Sequence, residues 1–256
     1  MRFNSDSGFI FLFDIFSHKI MKKLFIISSL ILFLAACHQE QTPTLTIQGK
    51  VKGMTKGMLH LEKIIDTTYV LVDTFRVSQN GTFVFHDSLD SPEVYYISIR
   101  EYPQDRITVF AEPGTVTMTT KLERFSSFAE IEGSENQKLL DEFNEVKNKF
   151  NNDNLSLIKE KILAEKANNQ PQIDSIQEVM NLLLKRRYLY TTNFAVKHAD
   201  MDIAPYLALS ELYLARTYLL DTIAQAMDQR TRNSHYGKKF TTFLEDIKAT
   251  EKKPEQ

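Results

Sequence analysis

From Thr44 to about Glu132 apolar residues alternate with polar ones in short runs, the period of half-buried β-strands. The runs are Leu45 to Val51, Met58 to Ile64, Tyr69 to Val77, the stretch carrying Phe83 and Phe85, Val94 to Arg100, Arg106 to Ala111, Val116 to Leu122 and Phe128 to Ile131. Turn residues separate them. Asn80-Gly81 predicts a hairpin, because both residues tolerate positive φ. Glu112-Pro113-Gly114-Thr115 fits a type II turn, with Pro at the first corner and Gly at the second. About eight short, regularly spaced strands predict an antiparallel β-sandwich-like domain over residues 44–133.

At Gly133-Ser134 the period changes. Ser134 and Gln137 resemble a capping box, and Leu139, Leu140, Phe143, Val146 and Phe150 then recur at helical spacing. Asn151-Asn152-Asp153-Asn154 is expected to end that helix and cap a second, Leu155 to Ala167. Pro171 suits the first turn of a third helix, Gln172 to Lys197. Pro205 opens a fourth, Tyr206 to Leu220, which Asp221 to Arg230 continues or follows as a separate helix. Tyr236 to Lys248 is the last. The fold class is therefore α+β: the sandwich-like domain followed by a C-terminal helical bundle over residues 134–250, with 251–256 a charged tail.

The N-terminal pattern is different again. Met21-Lys22-Lys23 is a basic start, Leu24 to Ala36 is apolar, and Leu34-Ala35-Ala36-Cys37 resembles the bacterial lipobox. A membrane-spanning helix needs roughly 20 residues, more than this apolar run supplies. The resemblance implies a signal peptide at 21–36, cleavage before Cys37, a diacylglyceryl thioether on its sulfur and acylation of its new amine. Each buried CH₂ contributes about 0.8 kcal/mol, so two or three acyl chains such as palmitate make a stable anchor. Residues 37–43 then form a lipidated tether. Residues 1–20, which carry Asp6 and Asp14 and a second apolar patch from Phe9 to Phe16, read as an extension ahead of the true start at Met21.

Charge and cysteine usage narrow the function classes. The 256-residue chain carries 31 basic and 33 acidic residues. Removing residues 1–36 takes away Arg2, Lys19, Lys22, Lys23, Asp6 and Asp14, leaving 27 basic and 31 acidic residues, a net charge of -4. Nucleic-acid binding wants a basic stripe, and none is present. Cys37 is the single cysteine, so disulfides, CxxC redox chemistry, thiolate nucleophiles and cysteine metal sites are excluded once it is lipidated.

A set of ordered motifs carries a family resemblance over roughly residues 44–250. These are Gly49-Lys50-Val51-Lys52-Gly53, Asp73, Asn80-Gly81-Thr82-Phe83-Val84-Phe85, Ser91-Pro92-Glu93-Val94-Tyr95-Tyr96, Ala111-Glu112-Pro113-Gly114 and Glu132-Gly133-Ser134-Glu135-Asn136. Together they resemble the N-terminal β domain of unknown function, with its helical segment, of Bacteroidetes-type lipoproteins of the thioredoxin-like, thiol-specific antioxidant family. The resemblance implies that a thioredoxin-like module with its CxxC would begin about where residue 256 falls, with Tyr236-Gly237 as its run-in. No CxxC stands in this sequence, so no redox residue is carried over.

Several clusters offer candidate chemistry. His198, Asp200 and Asp202 could serve a cation or simply form an inter-helix turn. Asn151 to Asn154 lacks the Gly and distal Glu of a calcium loop, and capping accounts for it better. His60, His86 and Asp87 offer acid/base groups on strands. Tyr95 and Tyr96 must face opposite sides of their strand; with Tyr102 and Phe110 they offer either cross-strand packing or an aromatic platform for a glycan or peptide. Lys185-Arg186-Arg187 is a solvated helix face or a contact for anionic headgroups.

The expectation is a non-catalytic, lipid-anchored cell-envelope protein, preferably at the outer membrane because His38, not Asp, follows Cys37. It would need no cofactor or metal, and would engage the membrane through its lipid and an envelope protein, peptide or glycan through the sheet face or the β/helix junction. The alternative is an accessory or truncated member of a thiol-disulfide redox lipoprotein family, acting with a separate thioredoxin-like partner.

Overall fold

Eight strands form where the alternation predicts them: β1 (Leu45–Lys52), β2 (Gly57–Ile65), β3 (Thr68–Val77), β4 (Thr82–Asp87), β5 (Glu93–Ile99), β6 (Tyr102–Ala111), β7 (Gly114–Lys121) and β8 (Glu130–Glu132). The structure is a computed structural model and describes residues 44–251. The extension at 1–20, the signal peptide expected at 21–36, Cys37 with the tether expected at 37–43, and residues 252–256 of the expected tail lie outside the described residues. Among the described residues no helix is long and apolar enough to cross a membrane.

The strands make two four-stranded sheets, ordered β4-β1-β7-β8 and β3-β2-β5-β6. Their inner faces meet in one apolar core: Leu45, Ile47, Phe83, Phe85, Val116 and Met118 from the first, Leu59, Leu61, Tyr95, Ile97, Ile107 and Val109 from the second. The alternation explains this directly, since Leu45, Ile47 and Val51 of β1 and Val116, Met118 and Thr120 of β7, all at even spacing, are buried. The second sheet is fully antiparallel. In the first, β1 and β7 run parallel, from Leu45↔Gly114 to Lys52↔Lys121. A parallel neighbour needs a long crossover, and the whole second sheet supplies it.

Asn80-Gly81 does not join two strands of one sheet, as the hairpin expectation had it. β3 and β4 belong to different sheets, and the turn carries the chain round the corner between them. Gly81 N–H donates to Ser78 O at 3.0 Å, Gly81 alone takes the positive φ (74°), and its carbonyl accepts from Val51 N–H at 2.8 Å. The tight two-residue hairpin lies instead at Asp66-Thr67, between β2 and β3, with Asp66 at φ 57°.

Six helices follow: α1 (Glu135–Lys166), α2 (Gln170–Lys197), α3 (Ile203–Glu211), α4 (Thr217–Ala226), α5 (Gln229–Asn233) and α6 (His235–Glu251). α1 runs unbroken through Asn151–Asn154, against expectation. Asn and Asp cost well under 1 kcal/mol each in a helix that is already nucleated, and neither Gly nor Pro interrupts the run. Pro205 sits in the first turn of α3, where its missing N–H costs nothing. The expected fourth helix is cut at Leu212 to Arg216. Leu212, Leu220 and Ile223 enter one helical core with Ala204, Ala208, Phe240 and Leu244, which the chain reaches only by turning.

A third core joins the layers. Val94 and Phe110, on the outer face of the second sheet, pack against Leu139, Leu140, Phe143, Phe194, Ile203, Leu207 and Tyr236. The order of layers is thus sheet, sheet, helices, and β5 is buried on both faces.

Replacing Gly81 by Val should destabilise the chain from Thr44 onward by about 2 kcal/mol or more. A Cβ there would stand 2.3 Å from the Val51 carbonyl oxygen, at a φ that β-branched residues avoid. Urea unfolding measures the loss; an unchanged midpoint contradicts the corner geometry.

Candidate functional site: a cleft at the sheet and helix junction

A wide concave feature opens where the sandwich meets the last helices. Three segments form a cleft of about 920 Å³: the end of β2 and its turn (Lys63 to Asp66), the β4–β5 connection (Ser88 to Glu93), and Arg230 to Lys239 of α5 and α6. Ile65, Leu89 and Pro92 give it apolar lining, and Tyr95 reaches its floor.

Two carboxylates are held rigidly beside it. Tyr236 Oη donates to Glu93 Oε1 at 2.5 Å and accepts from Val94 N–H at 3.1 Å. His235 Nε2 lies 3.4 Å from Glu93 Oε2, and the His235 N–H donates to Ser91 Oγ at 3.3 Å. Tyr95 Oη donates to Asp87 Oδ2 at 2.6 Å, with Lys63 Nζ 3.7 Å from the same oxygen. Burial, then the adjoining carboxylates, raise both phenols well above the ordinary tyrosine range, so they stay protonated and donate. Burial pushes His235 below its ordinary value; Glu93 and Asp202 oppose that, while Lys239 and Lys63 reinforce it. Although a carboxylate stands within ion-pair distance, we read the imidazole as neutral, because desolvation is the largest influence on it.

Ser234 Oγ serves the start of α6, accepting from Gly237 N–H at 3.2 Å and lying 2.8 Å from Thr231 O. Arg230 anchors the helical wall: Nη1 meets the buried Asp202 Oδ2 at 3.0 Å, and Nη2 donates to the Asp200 carbonyl. Lys238 and Lys239 remain exposed at the rim. The arrangement can hold a polar or charged ligand group between fixed donors and acceptors, with apolar contact from the β2 turn.

The clusters singled out in the sequence fare differently. Asp202 is buried in its pair with Arg230, Asp200 is exposed, and the His198 ring packs on Phe194 with centroids 4.7 Å apart. Among the described residues no three His, Asp or Glu side chains gather as for a metal ion. His60 lies on β2 in the second sheet, whereas His86 and Asp87 are successive residues of β4 in the first; His86 Nδ1 meets Thr46 Oγ1 at 3.2 Å and Asp87 turns to Tyr95. The four aromatic residues make no common platform. Tyr95 is in the sandwich core, Phe110 is buried under the helices, Tyr102 is 66% exposed on β6, and Tyr96 packs edge-on against Tyr69 at 5.1 Å. Lys185 and Arg186 are exposed, and Arg187 is half-buried. Tyr236-Gly237 begins α6, where the last helix was expected, and Tyr236 docks that helix on Glu93. The sequence reading missed Glu93 and His235, whose partnership spans 142 positions and leaves no local signal.

His235 gives a pH test with a definite sign. The folded chain binds its proton less readily than the unfolded chain, so stability falls as pH drops below about 6.5. The stability of the chain from Thr44 relative to its His235→Gln variant should therefore shrink between about pH 7.5 and pH 5.5. Urea unfolding at several pH values checks this; a constant difference contradicts it.

Comparison with known proteins bears on the β side of the cleft. No curated protein matches the chain. Residues 45–140, which include all eight strands and the first turns of α1, match the family described as Domain of unknown function (DUF4369). The match coincides with the β-sandwich, and it takes in the sheet wall of the cleft but not the helical wall.

Proposed function

We propose that this chain is a lipid-anchored cell-envelope protein whose folded body recognises an envelope protein, peptide or glycan without transforming it, through the junction cleft. The observation that carries the anchor is the Leu34-Ala35-Ala36-Cys37 pattern, which ends seven residues before the first described residue, Thr44. Such spacing leaves a short tether between lipid and fold, and an outer-membrane location follows from His38 behind the lipidated cysteine. The cleft supports the binding role, since its polar groups are fixed by Glu93, Tyr236, Asp87 and Tyr95 before any ligand arrives.

The match to the domain of unknown function, together with the ordered motifs from Gly49 to Asn136, favours a second reading: an accessory of a thiol-disulfide redox lipoprotein system, working beside a separate thioredoxin-like partner. Pull-down of purified envelope thioredoxin-like proteins by the chain from Thr44 would favour it over recognition of glycans or unrelated peptides.

The anchor is tested by labelling cells with an alkyne fatty acid. The full chain should take up label and sediment with membranes, and Cys37→Ser should lose both and accumulate as precursor. Undiminished labelling in the variant overturns the anchor. Glycan and peptide arrays test the cleft. A ligand found there should bind Lys238→Glu/Lys239→Glu about tenfold more weakly or worse. Binding insensitive to the two substitutions removes the cleft from the proposal.

A further inference from the structure

Helices α1 and α2 are 32 and 28 residues long, yet only their ends near the sandwich enter the cores, through Leu139, Leu140 and Phe143 and through Tyr188, Phe194 and Ala195. Between residues 144 and 187 only Ala164 and Ile176 are buried. Beyond the Lys147–Glu211 contact of 2.6 Å the two helices form an arm packed on itself, about 28 Å long at 1.5 Å per residue. An arm that buries so little carries a conspicuous excess of exposed apolar residues.

On α2 these residues follow a seam. Val179 (46% exposed), Leu182 (52%) and Leu189 (49%), with Arg186 between the last two, repeat at intervals of three, four and three. That is the spacing at which one helix packs along another. The charges beside the seam are antisymmetric about Leu182. Glu178 stands four residues before it and Arg186 four after, with Lys185 adjacent; all three are exposed, and none has an ion-pair partner among the described residues.

We propose that α2 is the interface with a second copy of this chain, the two helices crossing antiparallel about a twofold axis at Leu182. That axis sets Leu182 against Leu182 and Glu178 of each copy against Arg186 and Lys185 of the other. A twofold contact must be self-complementary, and about Leu182 the charge pattern is so: Glu178 meets Arg186 across the axis. The α1 stripe, Leu155, Ile158 and Ile162, is also exposed, but a twofold about Ile158 sets no acid against a base. The arms would then form a four-helix contact, burying apolar surface that two helices cannot cover alone.

Sedimentation velocity on the chain from Thr44 tests the proposal, since all three apolar cores lie between Leu45 and Leu244. The expected species at micromolar concentration is a dimer. Leu182→Asp should be monomeric, Glu178→Arg should weaken association about tenfold or more, and Glu178→Arg/Arg186→Glu should recover part of the loss, Lys185 being unchanged. A monomeric native chain, a dimer indifferent to Leu182→Asp, or a double swap as weak as the single overturns the proposal. If circular dichroism shows that Leu182→Asp has lost helix, the charge swap decides alone, because it leaves the apolar seam intact. A full chain that stays monomeric in detergent while the shortened chain dimerises would assign the seam to residues 1–43 and also overturn the proposal.

Discussion

The carboxylate of Glu112 is the point on which the helical layer depends. It stands at the end of β6, and its Oε1 accepts from the Asn136 N–H at 2.7 Å and from Asn136 Nδ2 at 2.8 Å, with Ser134 Oγ 3.1 Å away. Asn136 Oδ1 in turn accepts from the Ile203 N–H at 2.8 Å, satisfying the first amide of α3. Gln137 Oε1 accepts from Phe110 N–H at 2.7 Å, and Ser134 Oγ lies 2.6 Å from Phe110 O. One carboxylate and three neighbouring polar side chains thereby fix the starts of two helices against a strand edge. Hydrogen bonds to a charged acceptor contribute about 1.5–3 kcal/mol each, and a buried donor left unmade costs a similar amount. Gly133 makes the approach possible: it takes φ 97°, and a Cβ there would stand 2.3 Å from the Thr115 carbonyl oxygen.

The rest of the molecule follows from that docking. With α1 seated, Phe110 and Val94 are covered, and the outer face of the second sheet becomes a core rather than a surface. Tyr236 provides the second fastening, from α6 back to Glu93 and Val94. Between the two fastenings the helices span the sheet, and the gap they leave beside the β2 turn is the cleft. Its walls come from residues far apart in sequence, so its shape depends on the layers staying in register.

How much of this the sequence reveals depends on the range of each interaction. The eight strands were legible because alternation is local: Leu45, Ile47 and Val51, or Tyr95 and Ile97, declare their inward face two residues at a time. The Ser134 cap was legible for the same reason, and its oxygen accepts from Gln137 N–H as a capping box requires. The Gln137 side chain was not, since it leaves the helix to pair with Phe110. Asn80-Gly81 was recognised as a turn, but whether a turn joins strands of one sheet or of two is decided by which face must be buried. Asn151 to Asn154 misled because local propensity is a weak preference and a continuous helix satisfies every backbone group. The cleft was legible only as a junction. Glu93, Tyr236, Arg230 and Asp202 are ordinary residues until the fold brings them together.

Native-state hydrogen exchange on the chain from Thr44 with Glu112→Ala tests the role of that carboxylate most directly. The amides to follow are Phe110, Asn136 and Ile203, with the β1 and β2 amides as an internal reference. If Glu112 docks the helical layer, those three amides should exchange through an opening that is easier by about 2–3 kcal/mol, while β1 and β2 keep more of their protection. Unchanged protection at Asn136 and Ile203, or an equal loss throughout both sheets and helices, would contradict the account.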